Sequence, residues 1–167
     1  LLIVDDSMVF CRFLSTQLTK IDPRIQVVGY SGNAYDASQK INSLKPDVIS
    51  LDVEMPGMNG LEFLQKLIPE NPIPVVLVSS LNVNVFDALS YGAVDFVKKP
   101  DMSRNYTTET FAKSLASKIV MASTASVKVP NHVRPQDGPA VSHPKSAPQV
   151  RGTSKPDSTG VHITLPK

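Results

Sequence analysis

Pro46-Asp47-Val48-Ile49-Ser50-Leu51-Asp52 is an apolar run that ends on a carboxylate, and after Val53 it gives way to Glu54-Met55-Pro56-Gly57-Met58-Asn59-Gly60. A buried strand that delivers an acid to a Pro/Gly-rich turn is the arrangement by which open α/β sheets present their chemistry, at the carboxyl ends of the strands. Working outward, Leu1-Leu2-Ile3-Val4 ends on Asp5-Asp6, Ile73-Pro74-Val75-Val76-Leu77-Val78 on Ser79-Ser80, and Val94-Asp95-Phe96-Val97 on Lys98-Lys99. The spacing predicts strands over 1–4, 25–30, 47–51, 73–78 and 94–97, mostly apolar without a break, as strands covered on both faces must be.

Between these runs the apolar period lengthens to that of a helix. Phe10, Leu14, Leu18 and Ile21 form one face, and Ala34, Ala37, Ile41 and Leu44 another. Leu61, Leu64, Leu67 and Ile68 follow, then Phe86 and Leu89, and Phe111, Leu115 and Ile119 predict a last helix over 107–122. Ser7 and Asn33 mark helix starts; Asp22-Pro23, Lys45-Pro46 and Tyr91-Gly92 mark stops. Five strands alternating with five helices imply an α/β fold with a doubly wound parallel sheet.

The composition changes near Ser123. All ten Phe and Tyr precede it; the remaining 45 residues hold seven Pro, all three His and no aromatic. A segment with so little to bury cannot offset the entropy of ordering, so 123–167 reads as a flexible, disordered linker and 1–122 as the folded domain. As a flexible coil it would span roughly 35–40 Å. Residues 1–122 carry 11 Lys/Arg against 13 Asp/Glu and 123–167 carry 6 against 2, so the net charge of +2 comes from the tail. No basic cluster with interleaved aromatics argues for nucleic acid. The single cysteine, Cys11, precludes an internal disulfide, and no apolar run suits membrane insertion. With no signal peptide legible, the expected location is cytoplasmic. The chain opens without Met inside an apolar run and reads as a fragment of a longer protein.

In a parallel sheet the residues that follow different strands become neighbours, which would gather Asp5, Asp6, Asp52, Ser79, Ser80 and Lys99 at one edge. Three close carboxylates repel unless a cation intervenes, and a small hard ion with oxygen ligands, Mg²⁺, suits them. A hydroxyl and an ammonium beside them suit a ligand with several anionic oxygens, such as a phosphoryl group in transit. Each piece has a plainer reading: Asp6 or Ser7 as a helix cap, Ser79-Ser80 as a turn, Lys98-Lys99-Pro100 as a solvated loop, Phe96 as core. Their joint occurrence on four different strand ends favours the chemical reading.

In this order, Asp5-Asp6, Asp52 with Pro56 and Gly60, Ser79, Gly92-Ala93, Phe96 and Lys99-Pro100 resemble the receiver domain of two-component response regulators. That resemblance implies a flavodoxin-like fold with strand order 2-1-3-4-5. It implies that Asp52 is the phospho-acceptor and that Asp6, Asp52 and the backbone carbonyl of Glu54 bind Mg²⁺, with Asp5 holding the ion through water. Lys99 would contact the phosphoryl oxygens, Ser79 would move to the phosphoryl group, and Phe96 would change rotamer with it. The donor would be a phosphohistidine on a sensor kinase.

A narrower likeness lies in Leu51-Asp52-Val53-Glu54-Met55-Pro56, Gly60-Leu61-Glu62-Phe63-Leu64, Val75-Val76-Leu77-Val78-Ser79-Ser80-Leu81 and Gly92-Ala93-Val94-Asp95-Phe96-Val97. Together with a long linker, these resemble the regulatory domain of the chemotaxis protein-glutamate methylesterases, the CheB family. By that likeness the donor is a chemotaxis histidine kinase, and the partner is the chain's own C-terminal output domain, an esterase acting on chemoreceptors. The other outputs considered are a DNA-binding or protein-binding domain, and a pseudo-receiver that only docks. Ser158 in Asp157-Ser158-Thr159-Gly160 lacks the preceding strand, following helix and downstream partners that an esterase nucleophile needs, so no esterase activity is expected of this chain. His132, His143 and His162 read as linker residues and Cys11 as packing. Glu54, a long acid two residues beyond Asp52, is expected to influence dephosphorylation, in a direction the sequence leaves open.

Overall fold

A computed structural model describes residues 1–82, 84–100, 107–127 and 129; most of the expected linker lies outside them. Among the described residues the elements alternate: β1 (Leu2–Val4), α1 (Met8–Ile21), β2 (Gly29–Ser31), α2 (Ala34–Leu44), β3 (Ile49–Asp52), α3 (Gly60–Glu70), β4 (Val75–Ser79), α4 (Val85–Ser90), β5 (Asp95–Lys98) and α5 (Thr108–Ala122). The strands form one parallel sheet in the order β2-β1-β3-β4-β5. This is the flavodoxin-like receiver arrangement. The order reverses about β1, so the carboxyl ends of β1 and β3 flank the crevice where such sheets bind ligands.

The unbroken apolar strands follow from a sheet covered on both faces, since alternate residues point to opposite sides. Leu2, Val4, Ile49, Leu51, Val75 and Leu77 enter one core with residues of α2, α3 and α4. Ile3, Val76, Val78 and Val97 enter the other, with Cys11, Leu14 and Leu18 of α1 and Phe111, Leu115 and Ile119 of α5.

Polar side chains set where the helices begin. Ser7, Asn33, Asn59, Asn84 and Thr107 each accept a hydrogen bond from a backbone N–H of the first turn. Lys45 closes α2 in the left-handed region at φ 44°. Gly60 matters for a different reason: a Cβ there would lie 2.1 Å from the Asp52 carbonyl oxygen, so only glycine lets α3 start against the end of β3.

Some expectations shift. Ile25, Val27 and Val28 are apolar yet precede β2, because pairing with β1 begins at Leu2 with Gly29; Ile25 and Val27 serve the second core instead. Asp52, expected just after β3, is its last residue and pairs in register with Val78. The spacing of Phe86 and Leu89 does mark a helix but not a buried face. In the six-residue α4 only Ala88 is buried, and Phe86 is 83% exposed. No helix among the described residues is long and apolar enough to cross a membrane.

Candidate functional site

The sheet brings Asp5, Asp6, Asp52 and Lys99 together at its carboxyl edge. Asp5 leaves β1 with its N–H donating to the Ser31 carbonyl at 2.9 Å, and its Oδ1 accepts the Ser7 N–H at 2.9 Å, where α1 begins. One Asp5 oxygen is thus spent on the turn into α1 while the other faces the sheet edge. Asp52 Oδ1 accepts the Glu54 N–H at 3.1 Å. The remaining oxygens, Asp5 Oδ2 and Asp52 Oδ2, each lie 2.8 Å from Lys99 Nζ. Lys99 reaches them because its own N–H donates to the Ser79 carbonyl at 2.8 Å, fixing its backbone beside β4.

Both Asp5 and Asp52 are 2% exposed, so this ammonium is shared by two desolvated carboxylates. Burial holds the Asp52 carboxyl above the usual carboxylate range, against the hydrogen bond and charge of Lys99. At Lys99 burial disfavours the charge, but the hydrogen bonds with Asp5 and Asp52 outweigh it and its pKa rises. Lys99 Nζ also stands 4.8 Å from the centroid of the Phe10 ring, a cation–π seat. Behind that ring, Phe111 of α5 packs at 5.9 Å between centroids and Phe13 at 6.1 Å. Phe10 was legible only as part of a helix face; nothing in the sequence marks a residue that touches Lys99 across the fold.

Asp6 is exposed, and one carboxylate oxygen from each of Asp5, Asp6 and Asp52 lies within 4.8 Å of the others. Three acids facing one lysine leave a net negative site with an all-oxygen donor set. That chemistry fits a hard divalent cation such as Mg²⁺.

Ser79 and Glu54 form a second group. Ser79 closes β4 fully buried; its hydroxyl accepts the Leu81 N–H at 3.1 Å and lies 3.5 Å from Glu54 Oε2. The same Oε2 accepts the Ser80 N–H at 3.0 Å and the Ser80 hydroxyl. The Ser80 hydroxyl, more than the burial that opposes it, draws the Glu54 carboxyl below its usual range. Phe96, in register with Leu77, is partly buried against the first core; its N–H donates to Asp95 Oδ1 at 2.7 Å and its carbonyl accepts from Lys118 Nζ at 3.0 Å. Cys11 donates its S–H to the Asp5 carbonyl at 3.4 Å and is buried; burial, then the Asp5 charge, pushes its thiol up to about 11.

Comparison with known proteins agrees with this geometry. Residues 1–109 match the response regulator receiver domain model. The chain is 50% identical over 124 residues to protein-glutamate methylesterase/protein-glutamine glutaminase 2 of Syntrophomonas wolfei, covering 74% of this chain and 36% of that protein. It is 38% identical over 166 residues to the Geobacillus kaustophilus protein-glutamate methylesterase/protein-glutamine glutaminase, covering 97% of this chain and 46% of that one. The chain thus spans between about a third and a half of the length of these curated relatives. Among solved structures, the response regulator domain of Thermotoga maritima CheB superposes with a TM-score of 0.65 at 38% identity, covering 75% of this chain and 96% of that one. A chain of the CheX-CheY-BeF3-Mg+2 complex from Borrelia burgdorferi superposes with a TM-score of 0.56 at 27% identity, over 72% and 85% respectively. The chain belongs to the response regulator receiver domain family, and within it is a receiver of the CheB type.

Proposed function

We propose that Asp52 accepts a phosphoryl group from the phosphohistidine of a chemotaxis histidine kinase, and that residues 1–122 thereby regulate a methylesterase domain joined through 123–167. The observation that carries this reading is the pair of buried carboxylates, Asp5 and Asp52, sharing Lys99 beside Asp6 at the sheet edge. In the transfer, an Asp52 carboxylate oxygen bonds to phosphorus as the phosphorus–nitrogen bond breaks. The imidazole leaves with that electron pair and takes up a proton. Lys99, already between the two acids, supplies positive charge to the phosphoryl oxygens. Asp6, Asp52 and the Glu54 carbonyl, with Asp5 behind them, would hold Mg²⁺, which when bound offsets the negative charge of acids and phosphoryl group alike.

The acyl phosphate gives the site a new dianion, and Ser79 turns its hydroxyl towards it. Phe96 follows into the space released, and the surface around α4, β5 and α5 changes. Three features favour a methylesterase output over a DNA-binding one: the match to methylesterase relatives, the Ser79-Ser80 pair, and the Pro-rich segment beyond the fold. In that setting the module works in the cytoplasm, and the esterified substrate belongs to chemoreceptors. Incubation of the chain with a small phosphodonor and Mg²⁺ should give one phosphoryl adduct by intact mass, and Asp52→Ala should remove it. An adduct that survives Asp52→Ala would refute Asp52 as acceptor.

A further inference from the structure

Glu54 joins the two halves of the site. Its backbone N–H donates to Asp52 Oδ1, while its side chain reaches over to the loop that follows β4. There a single oxygen, Oε2, accepts from the Ser80 N–H and the Ser80 hydroxyl and lies within 3.5 Å of the Ser79 hydroxyl. A carboxylate that gathers these donors does what any anion placed beside β4 would do. Hydrogen bonds to a charged acceptor are shorter and stronger than neutral ones, so the loop is held while they last. What the loop leads into is weakly fixed, since α4 has six residues and buries only Ala88.

We infer that the Glu54 carboxylate is an internal surrogate for the phosphoryl group: it engages the donors of Ser79 and Ser80 at rest, the Ser80 hydroxyl strengthening its hold, and must release the Ser79 hydroxyl and the Ser80 N–H before they can serve an anion on Asp52. Glu54 and Ser80 are thus positioning residues that set where the Ser79 hydroxyl stands. The inference rests on Asp52 being the acceptor, and it gives Glu54 a direction: its bond to Ser80 opposes the phosphorylated arrangement. Repulsion by the Glu54 charge alone would also oppose an anion. Removing the neutral Ser80 hydroxyl separates the two, because that change weakens the hold without altering any charge.

The test uses the 167-residue chain with Mg²⁺ and beryllofluoride, a stand-in for a phosphoryl group, titrated by calorimetry. Ser80→Ala should tighten beryllofluoride binding, approaching about tenfold if one charge-assisted hydrogen bond is released. Glu54→Ala should tighten it at least as much, and adding Ser80→Ala to Glu54→Ala should add nothing. Unchanged or weaker binding in Ser80→Ala, or effects that multiply in the double variant, would overturn the inference. In the metal-free chain, Glu54→Ala should speed hydrogen exchange at the Ser80 amide about tenfold, and an unchanged rate would overturn it too. Failure of the parent chain to bind beryllofluoride would instead count against Asp52 as acceptor, and the amide exchange would still decide the role of Glu54.

Discussion

The two sides of the sheet edge are built to different standards. On the α1–α5 side, Lys99 is fixed by Asp5, Asp52 and the Phe10 ring, and Phe10 rests on Phe111, one of six buried residues of the fifteen-residue α5. On the α4 side, the Ser79 and Ser80 hydroxyls face one shared carboxylate oxygen, and the helix beyond them exposes Val85, Phe86 and Leu89. The contrast teaches where change is cheap. A switch needs a firm half that performs the chemistry and a half whose two arrangements differ by little, and regions with few buried contacts are where local free energies are small.

The firm half breaks most sharply at its cation. Lys99→Met leaves two desolvated carboxylates without their cation, and in chelator-treated protein should cost about 3–5 kcal/mol of unfolding free energy in urea. Adding Mg²⁺ should return part of the loss, because an ion that binds only the folded acids stabilises by mass action. A loss below about 1 kcal/mol would mean that the acids relax into water and the α1–α5 side is not firm.

Cys11 probes the same side through pH. With its thiol pushed up to about 11 in the fold, the unfolded chain ionises first as the pH rises beyond 9. Protons are then bound more by the folded state, so stability present below pH 9 is lost as the pH climbs through 11. Relative to Cys11→Ala, the parent chain should lose about 2 kcal/mol between pH 8 and pH 11. Parallel curves would show that the thiol is not held away from water. A smaller effect is expected at Phe10: in a double-mutant cycle with Lys99→Met, Phe10→Leu should show a coupling of about 1 kcal/mol, and none would leave Phe10 as packing only.

Much of this was legible in the residues. Unbroken apolar strands with an acid, a hydroxyl or a lysine at their ends imply a two-faced sheet with one polar edge, which is enough to bring Asp5, Asp52, Ser79 and Lys99 to that edge from the residues alone. Ser7 and Asn33 declared their helices because a cap is a local device. What stayed hidden is non-local. The Phe10 ring meets Lys99 across 89 positions of sequence, and the Glu54 carboxylate meets Ser80 across 26. Neither pair leaves a spacing signal in either partner. Helix periodicity also said nothing about seating: Phe86 and Leu89 repeat as core residues do, but α4 is too short to turn that face inward.

The smallest expected effect tests the loose half directly. Phe86 is an aromatic side chain 83% exposed on a helix of six residues, so replacing it with serine removes little apolar area already withdrawn from water and opens no cavity. Phe86→Ser should change the urea midpoint by no more than about 0.5 kcal/mol equivalent, the range of ordinary surface substitutions. Its exposure also means that any larger consequence should appear only when something covers α4. A loss above about 1 kcal/mol in the isolated chain would show that Phe86 is seated against the fold in solution, and α4 would then be as firm as α5.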